Sequence, residues 1–241
     1  MLRSFEIALQ FLTTFKVRVE PAPSLQEAAQ SAWAFPVVGG VIGVILVATY
    51  SLLQGHLPAF LCAIVVVGLW TVVTGGLHLD GWTDCWDALP ASVSPERRFE
   101  ILKDSRLGTF GAVGLVLLLA VKVGALAQAD FRPMLLFLAP VAGRAIMLLA
   151  VYRSPHRLEG MGAMFVPELN GRVVGWAAIL GLGPAIFGGW HAILAVAGAY
   201  LGALLFRRFA ESRLNAINGD VIGAICELSE ALVLLIGCVR W

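Results

Sequence analysis

WAFPVVGGVIGVILVATYSLL, Trp33 to Leu53, decides the fold. It holds no charged residue and is long enough, as a helix, to cross the roughly 30 Å of hydrocarbon in a bilayer. Six further stretches read the same way: Leu57 to Leu79, Leu107 to Ala129, Met134 to Tyr152, Val173 to Gly189, His191 to Phe206 and Val221 to Val239. The fifth and sixth are short, and Gly181, Gly183 and Pro184 interrupt the fifth, so these two could also form a re-entrant hairpin. The expectation is an all-α, polytopic transmembrane bundle of about seven spans. GGVIG, Gly39 to Gly43, contains a GxxxG spacing that reads as close helix packing.

The whole chain agrees with that solvent. Of 241 residues, 59% are hydrophobic and 14% charged, a balance that excludes an ordinary soluble domain. Seventeen basic and 16 acidic residues leave a net charge of +1, so no nucleic-acid partner is expected. Cys62, Cys85, Cys226 and Cys238 show no CxxC spacing, which argues against a zinc site or a disulfide framework. The opening MLRSFEIALQFLTTFKVRVE is interrupted by Glu6 and Lys16, unlike a signal peptide, and Phe5, Leu9 and Leu12 recur at helical spacing. Residues 1–20 are therefore expected as an amphipathic interfacial helix, and 33–239 as the bundle of a single integral membrane domain spanning 1–241.

Lysine and arginine fix an expected orientation, because short cytoplasmic loops carry their excess. Arg3, Lys16, Arg18, Arg97, Arg98, Lys103, Arg106, Arg153, Arg157, Arg172, Arg207, Arg208 and Arg213 fall on one side; Arg132 and Arg240 fall on the other. Thirteen against two places the N-terminus inside and the C-terminus outside. The long polar segments Asp80 to Arg106, Arg153 to Arg172 and Arg207 to Asp220 share the basic side, which suggests one site there.

GGLHLDGWTDCWDAL sets Asp80, Asp84 and Asp87 within an arc of about 60° on a helix. Three like charges at the end of an apolar span call for a cation, and hard oxygen donors suit Mg²⁺ or Mn²⁺ rather than zinc. ILKDSRLGTFG brings Lys103, Asp104, Ser105 and Arg106 before the next span, a base–acid alternation that can grip phosphate while Asp104 adds a ligand. Gly108 and Gly111 permit close backbone approach. Lys122 and Arg144 lie inside spans, where a lone cation is unfavourable. They call either for a buried anionic substrate or for ion pairs with Glu227 or Glu230. NGDVIGAICELSEALVLL carries Asp220, Glu227 and Glu230 within about 80° of one another, a second acidic stripe entering the bilayer. EGMGAMF, Glu159 to Phe165, with Gly171, reads as a loop able to close over a ligand or as a plain connector. His78 adjoins Asp80; His56 and His191 receive no role.

These segments together resemble the cobalamin synthase family, the adenosylcobinamide-GDP ribazoletransferases. The likeness extends from FLTTFKV at Phe11 and FPVVGGVIG at Phe35 to the last span. The family pattern falls here on Asp80, Gly81, Asp84, Asp87, Asp104, Ser105, Arg106, Gly108, Thr109, Gly219, Asp220 and Glu227, with Lys122 and Arg144 also at matching positions. Ala88 departs from it, standing where the family usually has glycine.

The resemblance implies a Mg²⁺-dependent enzyme of a bacterial inner membrane, its site loops cytoplasmic, that exchanges GMP for α-ribazole or its 5′-phosphate on adenosylcobinamide-GDP. The ribose 3′-hydroxyl would attack the cobinamide-proximal phosphorus. Asp80, Asp84, Asp87 and Asp104 are then the expected metal and catalytic carboxylates, with Mn²⁺ as a substitute ion. Lys103, Ser105, Arg106, Lys122, Arg144, Asp220 and Glu227 are expected to bind substrate or phosphate. Two alternatives are a lipid phosphotransferase of the CDP-alcohol type, because Asp84-x-x-Asp87 looks like half of that motif, and a secondary transporter.

Overall fold

The computed structural model describes residues 1–128, 130–157 and 163–239, the side chains of 163–165 excepted. The loop expected from Glu159 to Phe165 therefore lies, in all but its last backbone turn, outside the described residues, as does Arg240. The chain forms α1 (Leu2–Leu12), α2 (Leu25–Ser31), α3 (Phe35–Leu53), α4 (Ala59–Thr74), α5 (Leu77–Ala88), α6 (Pro95–Leu102), α7 (Thr109–Leu126), α8 (Pro133–Val151), α9 (Gly171–Leu182), α10 (Gly189–Leu214) and α11 (Gly219–Gly237). Helices are the required outcome, since each satisfies its own backbone where no water can. The four cysteines are free.

Every expected apolar segment contains a helix, but they differ in how well they qualify as spans. Among the described residues, four helical stretches are long and apolar enough to cross a bilayer, or five if the bent α4–α5 pair is one. α11 is long enough, 19 residues or about 28 Å, but carries Asp220, Glu227 and Glu230. α9 has only 12 residues, about 18 Å, too short to cross alone. A 3-10 turn, Gly183–Gly188, adds about 12 Å at 2.0 Å per residue. Its contacts settle the path: Gly171 lies by the Tyr152 hydroxyl at the end of α8, Gly181 by Ala145, and Gly188 by Met134 at the start of α8. α9 and its turn run antiparallel along the full length of α8, so this segment traverses rather than re-enters.

α8 is the hub. Its backbone is approached closely by small residues on two sides: a Cβ on Gly39 would stand 2.4 Å from the Pro140 carbonyl oxygen, and one on Gly181 would stand 2.1 Å from the Ala145 methyl. Gly43 meets the Phe137 backbone in the same way. The GxxxG spacing thus serves helix packing, as expected.

α1 is shorter than the expected helix over 1–20. It stops at Leu12, where the Thr13 N–H makes the last helical bond, to Leu9 O, and Thr14 turns to another helix. Thr13 Oγ1 donates to Leu9 O at 2.7 Å, and the Thr14 N–H donates to Val73 O at 2.9 Å, at the end of α4. Ile7, Ala8 and Leu12 are buried, so the apolar face of α1 lies on the bundle.

Candidate active site

The site begins at an elbow. α4 ends on Gly75 and Gly76, both left-handed with φ of +64° and +68°, a conformation that L side chains rarely adopt. α5 leaves at 97° to α4, which takes its aspartates out of the spanning direction. Thr14 braces the elbow, its hydroxyl donating to Val72 O at 3.1 Å while its N–H holds Val73 O. Val72 O also accepts from the Gly75 N–H at 3.2 Å, so Thr14 adds a second donor there and serves one of the last carbonyls of α4 at Val73.

α5 is then held against two helices. Gly81 touches the backbone of Asp220, where a Cβ would come within 2.6 Å of the Asp220 carbonyl oxygen. On the other side Trp82 Nε1 donates to Gly114 O of α7 at 2.9 Å, and the Trp86 ring fills the space a Cβ on Gly114 would need. α5 thus brings Asp80 and Asp84 to the start of α11.

A cavity of about 780 Å³ opens there, lined by Asp80, Thr83 and Asp84 of α5, by Lys103, Asp104 and Ser105 of the loop between α6 and α7, and by Asp220, with Leu79, Leu107 and Leu115 as apolar wall. Among the described residues no hydrogen bond or ion pair reaches the carboxylates of Asp80 or Asp84. Asp220 accepts from Asn218 Nδ2 at 2.6 Å, and Asn218 Oδ1 in turn caps α11 by accepting from the Val221 N–H. Burial, followed by the charges of Asp80, Asp220 and Asp87, pushes the Asp84 carboxyl up to about 7. Asp104 is the opposite case: Arg106 grips it from Nε and Nη2, at 2.9 and 2.6 Å, and holds it at about 2.

The three polar segments expected on one side do meet. Arg213 donates to Leu89 O and Ala91 O, Arg98 to Ala91 O and Arg213 O, and the Arg157 guanidinium stacks 4.3 Å from the Phe99 ring. The Arg157 N–H donates to Ile217 O at 2.8 Å, tying the loop after α8 to the one before α11. The Arg98 and Arg213 side chains therefore serve carbonyls at the end of α5, in the loop after it and at the end of α10.

The family match decides what kind of site this is. A model described as cobalamin-5-phosphate synthase covers residues 4–238. The chain belongs to the cobalamin-5-phosphate synthase family. Curated relatives in this synthase family include proteins named adenosylcobinamide-GDP ribazoletransferase from Pseudomonas putida, 40% identical over 96% of this chain and 96% of the relative, and from Syntrophobacter fumaroxidans, 37% identical over 95% and 96%. A third, from Herpetosiphon aurantiacus, is 36% identical over 98% and 96%. No solved structure gives a significant match.

Not every expected site residue of this synthase faces the cavity. Asp80, Asp84, Lys103, Asp104, Ser105 and Asp220 do; Arg106, Asp87, Lys122, Arg144 and Glu227 do not. Arg106 reaches it only through Asp104. Asp87 binds backbone instead, its oxygens accepting from the N–H groups of Gly108 and Gly111 at 2.8 Å each. Lys122 and Arg144 form a buried cluster with the glutamates of α11: Lys122 Nζ lies 2.6 Å from Glu227 Oε2 and 2.7 Å from Glu230 Oε2, and Arg144 donates to Glu230 Oε1 and to Pro140 O. Of the two roles that sequence left open for these cations, the structure shows the ion pairs. Thr83, Thr14 and Asn218 were not anticipated. Only Asn218 left a signal, as a cap residue just before a helix.

Among the described residues no group of three or more His, Cys, Asp or Glu side chains is arranged to hold an ion by itself. The carboxylates at the cavity are nevertheless hard oxygen donors, and among the described residues nothing donates to Asp80 or Asp84 or pairs with their carboxylates. That suits Mg²⁺, which keeps several waters and takes one or two carboxylates together with substrate phosphates.

Proposed function

We infer that this chain is an adenosylcobinamide-GDP ribazoletransferase, a membrane enzyme of a late step in cobalamin biosynthesis. One observation carries the assignment of the site: carboxylates from α5, the α6–α7 loop and α11, separated in sequence, converge with Lys103 on one cavity at the end of the bundle. The whole-chain family match favours this activity over a lipid phosphotransferase or a transporter.

Asp80 and Asp84 would hold Mg²⁺, with Asp104 and Asp220 at the margin; when bound, the ion neutralises the diphosphate and the charge that grows on the leaving GMP. The side chains do the rest by position and charge. Lys103 and Ser105 bind phosphoryl oxygens, Asp220 is kept pointing to the cavity by Asn218, and a cavity carboxylate accepts the proton of the attacking ribose hydroxyl. The 3′-oxygen forms its bond to the cobinamide-proximal phosphorus as the bond from that phosphorus to the GMP oxygen breaks.

Purified protein in liposomes, given adenosylcobinamide-GDP, α-ribazole and Mg²⁺, is expected to release GMP only when α-ribazole is present, and to stop on addition of EDTA. Release that is independent of α-ribazole, or none from folded protein, would overturn the assignment.

The distribution of Lys and Arg supports placing the cavity on the cytoplasmic side of a bacterial inner membrane. Ser105→Cys in a background whose native cysteines are replaced should react with an impermeant maleimide in inverted vesicles and not in right-side-out ones. The reverse pattern would invert the topology.

A further inference from the structure

Asp87 belongs to the acidic run of α5, yet its surroundings are unlike those of Asp80 and Asp84. It is not among the residues that line the cavity. Its two oxygens each accept one backbone N–H, Oδ2 from Gly108 and Oδ1 from Gly111, both at 2.8 Å. Gly108 is the N-cap position of α7, and its own side chain has nothing to offer the first turn. Asp87 therefore supplies from α5 the cap that α7 lacks, with a full negative charge at the positive end of a helix.

The glycines explain why nothing else fits. A Cβ on Gly108 would stand 2.3 Å from Asp87 Oδ1, and one on Gly111 would stand 2.3 Å from Asp87 Oδ2 and 2.9 Å from Thr83 O. The carboxylate lies flat on a backbone surface kept bare for it. Between the two ends of this contact runs the loop that carries Lys103, Asp104 and Ser105 to the cavity. Asp84 and Asp80 sit on the same helix as Asp87, one and two turns earlier respectively.

We propose that Asp87 is a positioning residue: a latch that fixes the Lys103–Ser105 loop relative to the carboxylates of α5, and not a metal ligand. The proposal rests on the transferase assignment above for its catalytic consequence, and on geometry alone for the latch. Asparagine cannot replace the carboxylate, because it has one acceptor oxygen for two N–H groups and turns an NH₂ donor towards the other.

The test uses the full chain in detergent and in liposomes, with Asp87→Asn and Gly111→Ala. The second variant keeps the Asp87 charge and displaces it from its seat. Three quantities are measured: Mn²⁺ binding by loss of the free-ion electron paramagnetic resonance signal, amide exchange of the peptide covering residues 104–112 by mass spectrometry, and α-ribazole-dependent GMP release. Both variants are expected to bind Mn²⁺ as the wild type does, to exchange faster in 104–112, and to lose activity by on the order of 100-fold, the size of a misplacement of about 1 Å. The loss should fall on kcat of the folded fraction, which a merely stabilising contact leaves alone.

Loss of Mn²⁺ binding in Asp87→Asn with wild-type exchange would make Asp87 a ligand and overturn the proposal. So would a Gly111→Ala protein with wild-type exchange and activity. If the wild type itself releases no GMP, the transferase assignment fails separately, and if it binds no Mn²⁺ the metal assignment does; the exchange of 104–112 still decides the latch.

Discussion

Asp84→Asn is expected to reduce α-ribazole-dependent GMP release by about 100- to 1000-fold, the range seen when one preorganised electrostatic group is removed from a site. Asp84 stands at the centre of the acidic set, beside Asp80 on its own helix and Asp220 across the cavity, and no donor among the described residues neutralises it. Asparagine keeps the shape and removes the charge, so the effect isolates electrostatics from packing. The same residue gives the reaction a pH signature. Its carboxyl is pushed up to about 7, so near neutral pH a divalent ion must displace a proton to bind. Mn²⁺ affinity should therefore rise as pH increases from 6 to 8 and level off above, and the slope should flatten in Asp84→Asn. Affinity independent of pH in the wild type, or full activity in the variant, would remove Asp84 from the metal site.

The largest effect on stability is expected at Glu230. Its two oxygens serve different cations, Oε2 taking Lys122 at 2.7 Å and Oε1 taking Arg144, and it is 0% exposed. The four side chains balance, two positive and two negative, so Glu230→Gln leaves a net positive charge in the apolar interior. Breaking a buried pair from one side typically costs 3–5 kcal/mol, roughly the scale expected here. Glu227→Gln should cost less, because Lys122 retains Glu230. Thermal unfolding in detergent, followed by tryptophan fluorescence, separates these cases; a Glu230→Gln protein that melts with the wild type would show that the charges are neutralised by something else.

Much of this fold was legible because the bilayer imposes one rule on every segment: an apolar run of sufficient length must be helical. The span at Trp33 to Leu53 and the packing of Gly39 and Gly43 followed from that rule and from side-chain size. The short α9 did not, because the 3-10 turn that completes its crossing depends on what Gly181 and Gly188 meet on α8, which no local pattern records. The site was legible in its residue types and less so in their division of labour. Helical spacing put Asp80, Asp84 and Asp87 on one face, yet it could not show that the third meets the start of α7 while the first two meet a cavity. Asp220 was visible as an acid at a helix start; that it stands beside Asp80 depends on Gly81, which lets two backbones touch. Lys122 and Arg144 posed a question that sequence could state but not answer, since their partners lie on a helix far along the chain.

That separation bears on how the protein is made. Arg144 precedes Glu230 by 86 residues and Lys122 precedes Glu227 by 105. On a ribosome the two cations leave the tunnel long before their counter-charges have been translated, so α7 and α8 reach the translocon with nothing to neutralise them. α11, emerging late, supplies both counter-charges, so the ion pairs that neutralise Lys122 and Arg144 in the finished bundle form only once it is in place. The charge balance of the interior is thus completed by the last helix to be made.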